Sequence, residues 1–276
     1  MSADPNQTLR EQRDRLLRSH RRRIYWTRHW SIIATALLAL YAGLPFAAPT
    51  LMKLGATGPG ELLYTLYSPM CHQFAFRSLF LYGEQPFYPR AAANDPNFKS
   101  FDEYVLESPT FIKLYEAERR AQIARVQSQE VADAYRFQGA ADLAAWDNTL
   151  MTTARQFRGD ERMGYKVAIC ARDAAIYTAM VFGGVVFIFL RKRLRPVPLL
   201  LYVILGLGPI GVDGFSQLLS YPPFEFWPTR ETLPEFRVLT GALFGLMNIW
   251  LAFPHLERSM QESAQEKEAF LASMGD

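Results

Sequence analysis

Cysteine is nearly absent from this chain. Among 276 residues there are two, Cys71 and Cys170, which allow at most one internal disulfide and exclude a disulfide scaffold. The C-x-x-C spacing diagnostic of a redox dithiol is missing as well. Histidine is scarce, with four residues, and the formal net charge is only +3. No internal repeat or low-complexity tract stands out, so a repeat array is not in question. The length suits one large domain or two small ones.

What is present is segregation. Half of the residues are hydrophobic, and they gather into four long runs: Ser31 to Met52, Val167 to Leu190, Val197 to Tyr221 and Phe236 to Phe253. A helix needs roughly 20 apolar residues to cross a hydrocarbon core of about 30 Å, and all four runs come close. Soluble helices of this length carry a polar stripe, which most of these lack. The reading is an all-α polytopic membrane protein with four transmembrane helices. The first run follows a charged leader of about 30 residues and exceeds the 7–15-residue core of a signal peptide, so a retained helix is expected.

Basic residues set the orientation. The leader carries Arg10, Arg13, Arg15, Arg18, Arg21, Arg22, Arg23 and Arg28, and the link after the second run is "RKRLR", Arg191 to Arg195. Positive residues near membrane ends stay cytoplasmic. With four spans both clusters fall on one side, which predicts cytoplasmic termini, a plasma-membrane location and an outward-facing segment between Lys53 and Lys166. The expected units are a basic leader (1–30), the first span with an outer segment (31–83), an inserted extramembrane helical subdomain (84–162), three spans (163–254) and a cytoplasmic tail (255–276). A fifth span over Glu61 to Tyr82 would carry Glu61, His72, Gln73 and Arg77 through lipid, where a central arginine costs roughly 2.5–3.5 kcal/mol. That stretch reads instead as an interfacial or re-entrant helix, with Tyr64, Tyr67, Phe74, Phe76 and Phe80 at the headgroup level.

The inserted segment carries helix signals of its own. "SFDE", Ser100 to Glu103, is a capping box; Ser108 with Pro109 marks a second start. Leu143, Trp146, Leu150, Met151, Ala154 and Phe157 recur at helical spacing, with Gly159 as the expected stop. Its mixed charges suit a solvated cap or a docking face for a protein partner. No nucleic-acid partner is expected.

Polar residues within the apolar framework share one depth. Cys170, Arg172 and Asp173 begin the second span. Asp213 comes about 16 residues into the third, roughly 24 Å along it, with Gln217 one turn further. Arg237 and Thr240 open the fourth, and Cys71, His72, Gln73 and Arg77 lie at the outer interface. Cys170, Asp173 and Tyr177 stand at i, i+3 and i+7 on one helix face. Pro209 in "GLGPIGVDG" removes a helical hydrogen bond, and "GALFG", Gly241 to Gly245, is a small-xxx-small contact face. Ionisable residues within a span are a functional-site hypothesis by default; the competing reading is an ion-pair network, Asp173 with Arg172 or Asp213 with Arg237, that fixes packing. Arg77, Arg172 and Arg237 outnumber the two carboxylates, which suits an anionic phosphate or carboxylate ligand. The thiols admit three readings: a disulfide or redox pair, a zinc-like site of Cys71, His72, Cys170 and a carboxylate such as Asp213, or neither. His20, His29 and His255 are expected to be solvated or interfacial.

The motifs "CHQ" followed by "RS", C-A-R-D-x-x-I-Y, P-x-x-x-D-G-x-x-Q and R-x-x-T-G-x-x-x-G resemble a family of small bacterial and archaeal predicted membrane proteins classed as a domain of unknown function. The resemblance runs from Ser31 to about Phe253, excluding roughly Glu84 to Arg162. It implies that this excluded stretch is an insertion, since the CHQ and C-x-R stretches usually lie much closer together in that family. Many members carry a cysteine where this chain has Asp173, which weakens an all-thiolate site.

Two functional classes follow. In the first, an integral-membrane enzyme or binding protein handles an anionic, lipid-associated small molecule. Arg77, Arg172 and Arg237 hold the anion, with Gln73, Gln217, Tyr177 and Thr240 as binding or structural neighbours. His72, Asp173 or Asp213 moves protons, and Cys71 and Cys170 bind a metal or cycle redox state. In the second, a non-catalytic accessory subunit of a membrane complex uses the polar cluster and a Cys71–Cys170 disulfide for structure. A carrier is a weaker third reading: four spans without an evident inverted repeat make a small one, working only as an oligomer.

Overall fold

The computed structural model describes residues 5–144 and 146–273; the first residues of the leader and the last of the tail lie outside the described residues. The chain is predominantly helical, and four helices are long and apolar enough to cross a membrane. Helix α1 (Pro5–Lys53) runs up to a small helical body, α8 (Ala171–Leu190) returns from it, a composite third span rises again, and α11 (Pro234–Ser273) descends. Side chains such as Leu37, Leu40, Phe182, Phe189, Leu200 and Val212 stay exposed on the outer faces of these helices, as contact with lipid rather than water requires.

The 49-residue α1 and 40-residue α11 measure about 73 and 60 Å at 1.5 Å per residue, twice a hydrocarbon core of about 30 Å. Their excess forms an antiparallel two-helix stalk at the end remote from the helical body. His20 packs on Phe270, Arg28 pairs with Glu268, and Trp30 Nε1 donates to buried Glu257 at 2.7 Å.

Two local features shape the bundle. The third span starts as α9 (Leu199–Leu201), widens into a π-helical turn over Tyr202–Leu207 and resumes as α10 (Gly208–Leu218). Pro209 has no N–H to give, and the wider turn absorbs the missing bond. Helix α11 lies on α8 through glycine: a Cβ at Gly241 would sit 2.6 Å from the Arg172 carbonyl oxygen, and one at Gly245 2.3 Å from that of Ile176. These glycines let the two backbones touch, as small-residue faces do in membranes.

Between α1 and α8 lies the helical body. Helix α2 (Thr57–Tyr67) ends well short of the helix expected over Glu61 to Tyr82. Beyond it the chain forms a loop and then strand β1 (Ser78–Leu81). Strand β3 (Gly164–Cys170), which takes the start of the second apolar run, is the central strand of a three-stranded antiparallel sheet between β1 and β2 (Gly159–Asp160). Short apolar runs do not distinguish strand from helix by periodicity, so this sheet leaves no clear sequence signal.

The intervening helices are α3 (Phe101–Leu106), α4 (Pro109–Val126), α5 (Gln129–Ala134), α6 (Ala140–Ala144) and α7 (Asn148–Gln156). Ser100 caps α3 and Ser108 caps α4, each accepting the N–H three residues on. The single helix expected through Leu143 and Phe157 is broken by Asp147, which caps α7. Gly159 opens β2 with φ +120° instead of stopping a helix.

The aromatic residues assigned to the headgroup level are buried inside the protein. Phe74, Phe76 and Phe80 join Phe101, Phe111, Phe157 and Met163 in one core, while Tyr64 and Tyr67 pack with Ala48, Val167 and Ile169 in a second. The physical reason is that β1 and its preceding turn form a wall of the helical body, so their rings find apolar partners there. Residues 84–162 therefore share their core with the CHQ segment.

Candidate functional site

The two cysteine stretches meet where the helical body sits on the bundle. Ser78 of β1 pairs with Cys170 of β3, which draws the CHQ turn against the start of α8. That turn is tightly held. Gln73 adopts a left-handed backbone, φ +54°, and its buried Nε2 donates to Tyr64 O at 2.8 Å and Ala168 O at 2.7 Å. Gln73 O accepts from Lys166 Nζ at 2.6 Å. The same ammonium donates to Ala154 O at 3.1 Å and Arg155 O at 2.7 Å. Lys166 is wholly buried, and burial pulls its amine well below the usual lysine range, while the three carbonyls match the three N–H donors of the ammonium form and so favour its charge.

Cys71 Sγ accepts the N–H of Cys170 at 3.1 Å and of Gln73 at 3.5 Å. Cys170 is the N-cap of α8, and its sulfur accepts Asp173 N–H at 3.5 Å. Both thiols are free. The neighbouring Cys170 thiol and burial push the Cys71 thiol above its ordinary value, while Cys71 in turn lowers the Cys170 thiol. The two sulfurs and an Asp173 carboxylate oxygen all lie within 4.8 Å of one another.

A second cluster faces them across a cavity of about 380 Å³ lined by Cys71, His72, Cys170, Arg172, Asp173, Gln217 and Arg237 among others. Its anchors are two carboxylates, each clamped by two arginines. Asp213 pairs with Arg172 through one oxygen and through the other accepts Arg230 Nη2 at 3.0 Å and Thr232 Oγ1 at 2.7 Å. Glu231 accepts Arg77 Nη2 at 2.8 Å, Arg237 Nη2 at 2.6 Å, Gln217 Nε2 at 2.5 Å and the Tyr221 hydroxyl. Arg77 also lies 5.5 Å from the ring centre of Trp146, which stacks on Tyr221 at 4.3 Å. Burial works to raise the Glu231 carboxyl, but Arg77 and Arg237 more than offset it and hold it below the ordinary carboxylate range.

Among the residues singled out in the sequence, Cys71, Cys170 and Asp173 come together, and Arg77, Arg172, Arg237, Asp213 and Gln217 form the ion-pair cluster beside them. His72 is exposed at the cavity and rests on Phe74, ring centres 5.5 Å apart, outside the Cys–Cys–Asp group. Gln73 is a buried clamp. Tyr177 stacks edge-on to Tyr41 at 5.0 Å beneath the thiols. Thr240 donates to Phe236 O at 2.7 Å within its own helix and borders a separate groove of about 410 Å³ lined by Ile204, Val212, Phe236, Asp213 and Arg230.

Sequence reasoning missed Glu231, Arg230, Tyr221, Trp146 and Lys166. For Glu231 a signal existed: three arginines against two carboxylates at one depth left a buried charge wanting a partner. The loop between the third and fourth spans supplies Glu231, but with it Arg230. Arginine therefore still exceeds carboxylate, with Arg77, Arg172, Arg230 and Arg237 against Asp173, Asp213 and Glu231.

Residues 161–251 match a family described as predicted membrane protein (DUF2085), in keeping with the resemblance to a family of predicted membrane proteins. An uncharacterized protein of the archaeon Methanocaldococcus jannaschii is 33% identical over 92 residues, which cover 33% of this chain and 54% of the relative. The chain thus spans about half the length of that curated relative. No solved structure matches significantly.

Proposed function

We propose that this integral membrane protein binds the anionic group of a lipid-associated molecule in the cavity between the CHQ turn and the arginine cluster, and that this end of the bundle faces outward. The observation that carries the reading is an unspent donor: Arg172 Nε is buried without a hydrogen-bond partner among the described residues, on a side chain that lines the cavity. Buried polar groups without partners are rare and call for an explanation. An arginine already tied to Asp213 through one nitrogen has its remaining edge free for a phosphate or carboxylate oxygen. The groove beside Asp213 and Arg230 is largely apolar, which suits the hydrocarbon part of such a ligand.

The arrangement favours binding over proton transfer by Asp213, whose two oxygens are committed to Arg172, Arg230 and Thr232. His72, exposed at the cavity, remains the better-placed group for acid–base work. The accessory-subunit reading draws its support from the double clamps on Asp213 and Glu231, which pair each carboxylate with two arginines inside the protein.

Native mass spectrometry of the detergent-solubilised protein separates the two. Offered phosphatidic acid and phosphatidylcholine together, the protein should retain the former, and inorganic phosphate should compete poorly. Arg172→Gln should lower that retention roughly 10- to 100-fold, from the 1.5–3 kcal/mol of a hydrogen bond to a charged group. Equal retention of both lipids would overturn the anion reading; a variant that loses stability without changing lipid choice would favour the structural one.

A further inference from the structure

We infer that Cys71, Cys170 and Asp173 form a three-ligand site for a soft divalent cation of the zinc class, with its fourth position open to the cavity. Cys71 lies in the CHQ turn and Cys170 at the end of β3. They are 99 residues apart, and the β1–β3 pairing brings them together. Their sulfurs and an Asp173 oxygen lie within 4.8 Å of one another. Metal–sulfur bonds of about 2.3 Å at a tetrahedral angle place two sulfurs roughly 3.8 Å apart, so modest side-chain adjustment closes the group around one ion.

Backbone donors face both sulfurs. Cys71 Sγ accepts two backbone N–H groups and Cys170 Sγ one, at the N-terminus of a 20-residue helix. Such donors stabilise sulfur charge, and the thiolate is the form that binds metal. The turn bearing Cys71 is fixed from behind by Gln73 and Lys166, so the ligands are held before an ion arrives. Two thiolates and a carboxylate carry one negative charge more than a divalent ion neutralises, and Arg172 and Arg237 line the same cavity. Three protein ligands with an open fourth position is the pattern of reactive zinc sites, whereas structural sites close with four. This inference stands apart from the anion reading, since its three ligands are other residues and its test is a different measurement.

The test is cobalt(II) titration of the full chain, purified in detergent under reducing conditions without a polyhistidine tag. One cobalt per chain is expected, with a thiolate-to-cobalt charge-transfer band and the intense visible bands of tetrahedral coordination, both lost on adding zinc. Cys71→Ser and Cys170→Ser should each cut the charge-transfer band to half or less and weaken binding, and the double variant should abolish the band. Asp173→Asn should keep that band but shift the visible bands and weaken binding. Should a cysteine variant fail to fold, the wild-type protein still decides: bound cobalt should shield both thiols from alkylation, and chelation should restore their reactivity. Two free, reactive thiols with no charge-transfer band would overturn the proposal. So would a Cys71–Cys170 disulfide that forms in the cell with no metal uptake after reduction, or an Asp173→Asn titration that matches wild type.

Discussion

Glu231→Gln is the sharpest perturbation of the polar cluster. The side chain is buried and holds Arg77 at 2.8 Å and Arg237 at 2.6 Å, and the amide that replaces it keeps the size but not the charge. Two guanidinium groups then lose their shared counter-ion in a site largely closed to water. Breaking a buried ion pair by removing one partner costs about 3–5 kcal/mol, equivalent to a loss of roughly two to three and a half orders of magnitude in the folding equilibrium constant. Unfolding by a denaturing detergent in mixed micelles, followed by tryptophan fluorescence, measures this directly, because Trp146 stacks on Tyr221 beside the carboxylate. Adding Arg237→Met to Glu231→Gln should recover part of the loss, since it removes one of the stranded charges; coupling of about 0.5–3 kcal/mol is expected. The pH dependence has a fixed sign. The folded carboxyl lies below its ordinary value of 4.5, so its contribution is complete above that pH and is lost as pH falls through the lower folded value. Glu231→Gln should lack this acid limb. A variant within about 1 kcal/mol of wild type would refute the reasoning, for that is the scale of exposed, solvated pairs.

Three further perturbations test the frame around the site. Gly245→Ala places a methyl group 2.3 Å from Ile176 O and should cost about 1–3 kcal/mol by forcing α8 and α11 apart; Gly43→Ala, with open space at its Cβ, should cost nothing measurable in the same unfolding assay. Lys166→Met strands the carbonyls of Gln73, Ala154 and Arg155 at about 1–3 kcal/mol for each left unpaired, and should speed alkylation of Cys71 by loosening its turn; an unchanged rate would show that the lysine is not what holds it. For orientation, a cysteine placed at Ala140 should react with an impermeant reagent on intact cells and one at Leu194 should not; the reverse pattern would invert the proposed topology.

Amino-acid order alone determined the four spans, because burial in lipid depends on a run of apolar side chains that a window of about 20 residues contains completely. It also put Cys170, Arg172 and Arg237 at neighbouring helix ends, since rise per residue converts sequence position into height along a helix, and all three line one cavity. The caps at Ser100 and Ser108 were legible for the same reason: donor and acceptor lie three residues apart. Partner identity was not legible. Glu231 is 154 residues from Arg77 and sits in a loop with no period, where an acid that folds inward reads like one that stays in water. Phe74, Phe76 and Phe80 looked like headgroup anchors because aromatic rings gather at membrane interfaces as well as in protein cores. Only the docking of the helical body placed them in the core. Lys166 had the look of a boundary residue and became a buried strut, since the carbonyls it binds come from two segments far apart in the chain. Hydrophobic length is a local quantity and survives in the one-dimensional chain. Which carboxylate meets which arginine, and which sulfur meets which, depends on strand pairing and helix contact across a hundred residues, so only the tertiary structure decided it.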